Sequence, residues 1–304
     1  MRVITQKTVG AASVLEVAEV AKPVPGPGQV LVEVGAAAVN PVDTYIRAGG
    51  FPALGEPPFT LGWDVAGTVE QAGEGVRDFA AGDEVYGLLT FPGTGGGYAE
   101  YAVVDAANVV RRPSWLTVEQ AGAVPMVALT AWQALVGRGG VAAGQRVLVH
   151  AAAGGVGHVA VQIAKARGAY VIGTASAAKH DFLRSLGVDE VVDYRNQDFT
   201  EIEPVDVVLD TVGGEYAERS ATVLKPGGVL VSIIPGNPGF DVDRASELGI
   251  RFELFTGVTA SGADLAALPQ LRVQIDHAVP LAEAAKAHEL VESGRTTGKV
   301  VLLP

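Results

Sequence analysis

The sequence predicts an α/β protein of two domains, a β-rich barrel-like domain and a doubly wound parallel sheet. Three observations carry this reading. Residues 1–122 hold short β-branched runs punctuated by Gly and Pro, and the following stretch alternates strand-like and helix-like segments. At 146–168, RVLVHAAAGGVGHVAVQIAKARG, a glycine turn joins a strand to an amphipathic helix.

In chain order, the runs at 30–34, 65–70, 84–88 and 100–104 read as strands, separated by turn signals such as PVPGPG at 23–28 and AGD at 81–83. The segments GGFPALGEPPF at 49–59 and PGTGGG at 92–97 read as surface loops. After Thr117, VEQAGAVPMVALTAWQALVG reads as helix interrupted at Pro125, hence two helices with a bend. Strands are expected at 146–151, 170–174, 190–194, 206–210, 228–234 and 251–255, with helices at 178–186 and 216–224 between them. A helix at 281–293 and a closing strand at 299–303 return the chain to the first domain. The expected division is therefore 1–122 with 258–304, and 123–257.

Composition narrows the function classes. A chain of 304 residues, 48% hydrophobic and 18% charged, can bury sizeable cores. The net charge of −12 argues against nucleic acid or an anionic membrane as the main partner. With no cysteine, disulfides, thiolate catalysis and sulfur-ligated zinc are excluded. No apolar h-region opens the chain and no run of about twenty apolar residues occurs, so a cytoplasmic protein is expected.

The turn Gly155-Val156-Gly157-His158-Val159-Ala160 fits G-x-G-x-x-A, the small-residue form of a dinucleotide fingerprint. Gly155 and Gly157 let the backbone turn tightly beside a pyrophosphate, Ala160 lets helix pack on strand, and the helix N-terminus offers N–H groups to an anion. Val159, Ala160, Ile163 and Ala164 share one helix face, with His158, Gln162 and Lys165 on another. The alternative is an ordinary Gly-rich βα turn. After the second strand of such a unit an NAD site places Asp or Glu on the ribose hydroxyls. Here residues 174–179 read TASAAK, with no acid but with Ser176 and Lys179. A hydroxyl and a cation suit a 2′-phosphate, so NADPH is favoured over NADH. Ser176 also suits a helix N-cap and Lys179 a solvated surface position. Tyr194-Arg195 ends the third strand, where it can flank the adenine or its phosphate.

Along the whole chain the motifs resemble those of the medium-chain dehydrogenase/reductase superfamily, and within it the zinc-free quinone oxidoreductase (ζ-crystallin-like) branch. NPVDTYIRAG at 40–49 is similar to the branch's NPxDxYxRxG, GWDVAGTV at 62–69 to GxDxAGxV, and GDEV at 82–85 to GDxV. AAAGGVG at 151–157, which contains Gly154, is similar to its cofactor loop, and AHE at 287–289 with GKVVL at 298–302 to its ending. The resemblance implies a GroES-like substrate domain formed by both ends of the chain and a Rossmann domain between them, with NADPH in a cleft, and a homodimer. Zinc-dependent relatives have a ligand cysteine where this chain has Asn40, and a Gly-His-Glu segment where it has Gly62-Trp63-Asp64. A catalytic zinc needs about three protein ligands, so no metal is expected. The implied chemistry is hydride transfer to a small electrophilic substrate, a quinone or, alternatively, an enone. By the same likeness Asn40, Asp43 and Tyr45 are the candidate catalytic residues and Thr130 lies by the nicotinamide ribose. A rival class is a non-catalytic NADPH-binding structural protein.

Other features read as structural. His288 falls on the apolar side of the terminal helix and suits a hydrogen-bonded core position. GRTTGK at 294–299 has one residue too few between its glycines for a phosphate loop and precedes a strand. Asp189-Glu190 reads as a solvated turn, and the five histidines show no metal-ligand spacing.

Overall fold

The computed structural model describes residues 1–51, 54–93, 95–234 and 240–304. Residues 52–53 and 94, within the two predicted loops, lie outside the described residues, as do 235–239. The chain divides into two units. The first comprises Met1–Leu129, Thr259–Ala267 and Val273–Pro304; the second comprises Thr130–Val258 and Leu268–Arg272. The expected boundaries were at 122/123 and 257/258. In the structure the first crossing falls seven residues later, inside a helix that the apolar run following Pro125 makes continuous.

In the first unit β1 (Arg2–Gln6), β2 (Glu16–Glu19), β3 (Gln29–Val39), β4 (Phe59–Thr60), β5 (Asp64–Ala72), β6 (Glu84–Leu88), β7 (Tyr101–Asp105) and β8 (Val109–Arg111) precede any long helix. The N-terminal part of this unit also holds α1 (Pro41–Arg47), α2 (Val118–Ala123) and the start of α3 (Pro125–Trp132). The long β3 organises this unit. It runs antiparallel to β5, and its register shifts twice, between Leu31 and Val32 and between Val34 and Ala36. Such irregularities bend a strand. On its other edge β3 pairs first with β7, over residues 29–33, and then with the last strand of the chain, over residues 37–39. Its last four residues are all buried, and it delivers Asn40 to the start of α1.

The second unit alternates β9 (Arg146–Val149), α4 (Gly155–Ala166), β10 (Tyr170–Ala175), α5 (His180–Ser185), β11 (Glu190–Asp193), β12 (Val205–Asp210), α6 (Tyr216–Ala221), β13 (Leu224–Ser232), α7 (Val242–Glu247) and β14 (Arg251–Leu254). All strand pairs are parallel, in the order β11-β10-β9-β12-β13-β14. The order reverses beside β9, and ligands of open α/β sheets bind outside the carboxyl ends of the strands at such a switch point. Leu148, Ile172, Val208 and Leu230 from neighbouring strands form the core with Phe199 and Phe240. After α3 the chain makes a π-helical turn, Gln133–Arg138, a widening not foreseen from the apolar periodicity.

The chain then returns to the first unit through α8 (Gly262–Ala266), β15 (Ile275–Pro280), α9 (Ala284–Glu292) and β16 (Lys299–Leu303). β15 carries no strand signal in the sequence because it is a mostly exposed edge strand, with no alternation of polar and apolar residues and a proline at its end. Among the described residues no helix is long and apolar enough to cross a membrane.

Candidate active site

The glycine turn of the second unit sits at the carboxyl edge of the sheet, between β9 and α4. Gly154 occupies the N-cap position of this twelve-residue helix and has no side chain to cap it. The N–H groups of Gly155 and Val156, which a helix cannot satisfy internally, are therefore offered to an anion. A Cβ at Gly157 would collide with the Ala151 carbonyl oxygen and the Ala152 backbone, which explains the glycine. Ala151 itself lies in the left-handed region, φ 43°, uncommon for a residue with a side chain. Thr174 of β10 holds it there, since its hydroxyl accepts from Ala151 N–H at 3.2 Å and its carbonyl accepts from Ala152 N–H at 2.9 Å. His150, fully buried, lies 3.3 Å from the same hydroxyl through Nδ1 and 2.8 Å from Ser220 Oγ through Nε2. Burial pushes its imidazole down to about 4. The neutral ring thus spans the two hydroxyls, one of its nitrogens donating and the other accepting.

Ser176 and Tyr194 are neighbours by register: Ala175 pairs with Asp193, and each residue follows its strand end at the same sheet edge as the glycine turn. Ser176 stands at the N-cap of a short turn, Ala177–Lys179, but its hydroxyl makes no capping bond. Lys179 ends that turn, half-buried, and Tyr194 is exposed. His158, expected on the polar face of α4, is instead fully buried. Its Nδ1 lies 2.9 Å from the Gly154 carbonyl and its ring against Phe182. The free helix N-terminus, the clash-forbidden Gly157 and the small-residue approach fit a dinucleotide pyrophosphate.

In the first unit Asn40 ends β3 and precedes α1, with Pro41 at the first helical position. Asp43, three residues on, accepts the Asn40 backbone N–H at 2.7 Å, so the helix start is closed by its own third residue. Both side chains are buried, at 2% and 0% exposure. The Asn40 amide is committed at both ends. Its Nδ2 donates to Asp64 Oδ2 at 2.6 Å, and its Oδ1 accepts from the Lys299 ammonium, which also donates to Val39 O at 3.1 Å. The second Asp64 oxygen accepts from Met126 N–H at 2.6 Å, at the N-terminus of α3.

A second chain of contacts leads outward from Asp43. Tyr98 donates its hydroxyl to Asp43 Oδ2 at 3.0 Å, and His288 Nε2 lies 3.2 Å from the Tyr98 oxygen. Arg47 Nη1 reaches His288 Nδ1 at 3.4 Å and the guanidinium pairs with Glu292 at 2.6 Å. Since Arg47 only donates, Nδ1 is the acceptor and Nε2 carries the proton. Burial, helped by Arg47, pushes His288 down to about 3, which keeps it neutral. Burial pushes Asp43 up to about 7, against the opposing Asn40 N–H, and leaves its Oδ1 without a partner. It likewise raises Asp64 and lowers Lys299, while each charge of that pair steadies the other.

Thus the structure brings Asn40 and Asp43 together in one buried cluster. Tyr45, on the same helix, points elsewhere: it is 56% exposed and its ring covers Gly50. Thr130 is buried on α3. Lys299, Tyr98 and Thr174 were not foreseen as site residues, although a lysine opening the apolar strand KVVLL was a signal for the first. Among the described residues no group of three or more His, Asp or Glu side chains is arranged to hold a metal. The positions of the metal ligands in zinc-dependent relatives carry an amide, an indole and a carboxylate already bonded to Met126 and Asn40.

A parallel sheet with this glycine turn at its switch point is the architecture of a dinucleotide-binding domain. The alcohol dehydrogenase GroES-like domain family model matches residues 26–114, and the zinc-binding dehydrogenase family model residues 186–302. A quinone oxidoreductase of Sus scrofa is 35% identical over 307 residues, covering 94% of this chain and 92% of that protein. A 2-methylene-furan-3-one reductase of Solanum lycopersicum is 36% identical, covering 91% and 72%. The polyketide synthase GfsB of Streptomyces halstedii is 46% identical over 209 residues, 68% of this chain, which spans only 4% of that protein's length. Among solved structures, the quinone oxidoreductase from Coxiella burnetii superposes with a TM-score of 0.93 at 34% identity, covering 100% and 99% of the two chains. The Escherichia coli quinone oxidoreductase complexed with NADPH gives 0.87 at 29% identity, covering 100% of both. The chain belongs to the medium-chain dehydrogenase/reductase superfamily, in its zinc-free quinone oxidoreductase branch. It is an oxidoreductase that uses a nicotinamide cofactor.

Proposed function

We propose that this chain transfers hydride from NADPH to a quinone without a metal ion. The observation that carries the cofactor choice is the carboxyl end of β10, where 174–179 offer Ser176 and Lys179 and no acid. An acid there would repel a 2′-phosphate, whereas a hydroxyl and an ammonium would bind it. Bound NADPH supplies the hydride; the protein supplies position and orientation. In this reading Gly154, Gly155, Val156 and Gly157 hold the pyrophosphate, Tyr194 flanks the adenine, and Thr130 bonds the nicotinamide ribose region. Asn40 faces the acceptor oxygen. Tyr45, exposed on α1, or water delivers the proton. Asp43, sealed behind Tyr98, acts by fixing Asn40 at the start of α1.

An enone is the second acceptor class, favoured by the likeness to the furanone reductase. The chain is further read as a cytoplasmic homodimer, as the branch resemblance implies, which sedimentation would test. Loss of the reduced-nicotinamide absorbance in the presence of quinone and enone panels tests the whole reading. Turnover with quinones supports it. Tight NADPH binding with no acceptor reduced would identify a binding protein and overturn it.

A further inference from the structure

The structure determines the orientation of the Asn40 amide completely. An amide has one acceptor oxygen and two donor hydrogens. Its oxygen is taken by the Lys299 ammonium, and one hydrogen by Asp64. Asp64 accepts from both Asn40 Nδ2 and Met126 N–H, and Lys299 donates to both Asn40 Oδ1 and Val39 O, the bonding pattern of a carboxylate and an ammonium, so a flipped amide would set Nδ2 against a cation and Oδ1 against an anion. Two charges of opposite sign thus clamp the amide in one orientation, and burial strengthens the clamp because little water screens it. What is left for a ligand is a single Nδ2–H.

We propose that Lys299 is a positioning residue which fixes Asn40 as a pure hydrogen-bond donor, so that the site selects acceptors by a carbonyl oxygen. This deepens the proposed function and rests on it. A carbonyl of a quinone or an enone accepts such a bond and gains electron density as hydride arrives, so the bond strengthens along the reaction. A hydroxyl that must donate finds no acceptor on Asn40. Lys299 itself never touches the substrate; it acts from behind, from the first residue of β16, and its 3% exposure keeps it there.

The test is a double-mutant cycle on the full chain, with a quinone as acceptor and NADPH affinity followed by fluorescence. Asn40→Ala is expected to lower kcat/KM by about a hundredfold. Lys299→Met, which keeps the length and removes the charge, is expected to lower it by about tenfold, mainly through kcat, with NADPH affinity within about twofold of wild type. Because Lys299 acts through Asn40, the double variant should be no slower than Asn40→Ala alone. Lys299→Gln keeps an N–H for the Asn40 oxygen and should recover part of the loss. It also replaces Lys299→Met in the cycle if that variant does not fold. Losses that multiply in the double variant, or folded Lys299 variants with wild-type kcat/KM, overturn the inference while leaving the proposed function intact. An active wild type in which Asn40→Ala is without effect overturns it as well. A wild type that reduces no quinone and no enone removes the proposed function and this inference together.

Discussion

The stability of an Asp43→Asn variant relative to wild type should rise with pH. In the fold the Asp43 carboxyl is fully buried, and one oxygen has no hydrogen-bond partner. Burial raises it from 3.8 to about 7. A carboxyl whose folded value lies above its unfolded one binds its proton more tightly in the native state. Its contribution is therefore fully present below about pH 4 and is lost as pH climbs to about 7. Each unit in that window corresponds to about 1.4 kcal/mol. Between pH 5 and pH 8 two units of the window are crossed, so wild type should lose about 3 kcal/mol relative to Asp43→Asn. The asparagine retains an oxygen for the Asn40 N–H and the Tyr98 hydroxyl, so the comparison isolates the charge. The depressed histidines, His150 and His288, push stability the other way, upward with pH to about 6.5, but they are common to both proteins and cancel in the difference. Urea unfolding at pH 5, 6, 7 and 8, followed by tryptophan fluorescence, measures this difference. A gap that is flat with pH, or that narrows as pH rises, would refute the reasoning.

Two further outcomes concern the second unit. Lys179→Ala should weaken NADPH binding by about ten- to hundredfold, the worth of a hydrogen bond to a charged group, and leave NADH nearly unchanged; equal losses in titrations with the two cofactors would count against a 2′-phosphate contact. Gly157→Ala must push the turn off the Ala151 carbonyl and the Ala152 backbone, at a cost of about 1–3 kcal/mol. It should lower the melting temperature and raise the dissociation constants for both cofactors, whereas an unaltered melting curve would show that the turn has room to spare.

What could be read from the chain was what contiguous residues encode. The strand–turn–helix at 146–166 is local, so its glycines, its strand and its helix could be placed together, and 299–303 emerged as β16 with the expected bounds. Helix faces were less secure. His158 looked polar by period, yet its ring nitrogen finds a carbonyl one turn back, which lets it be buried. Asp189, taken as a solvated turn residue, instead accepts the Val171 N–H and the Lys165 ammonium, and so ties α4 to β10. The buried cluster of the first unit was not legible as a cluster. Arg47, Tyr98, His288 and Lys299 come from separate elements, and the contacts span 190 residues between Tyr98 and His288 and 259 between Asn40 and Lys299. Periodicity carries no information at such separations. Only the oddity of single residues was visible: an Asp opening the buried strand DVAG and a Lys opening KVVLL.

The pairing of β16 with the end of β3 also has a consequence in time. Val39 and Val300 are register partners, and the ammonium that orients Asn40 arrives on the residue next to Val300. On a ribosome adding about 5–20 residues each second, β3 therefore waits roughly 13–50 s for its partner. Throughout that interval the whole parallel sheet of the second unit is synthesised, while Asn40, Asp64 and the exposed edge of β3 stand without the strand that completes them. The first unit is thus the last to be finished, and any factor that shields a nascent sheet edge has this one to protect.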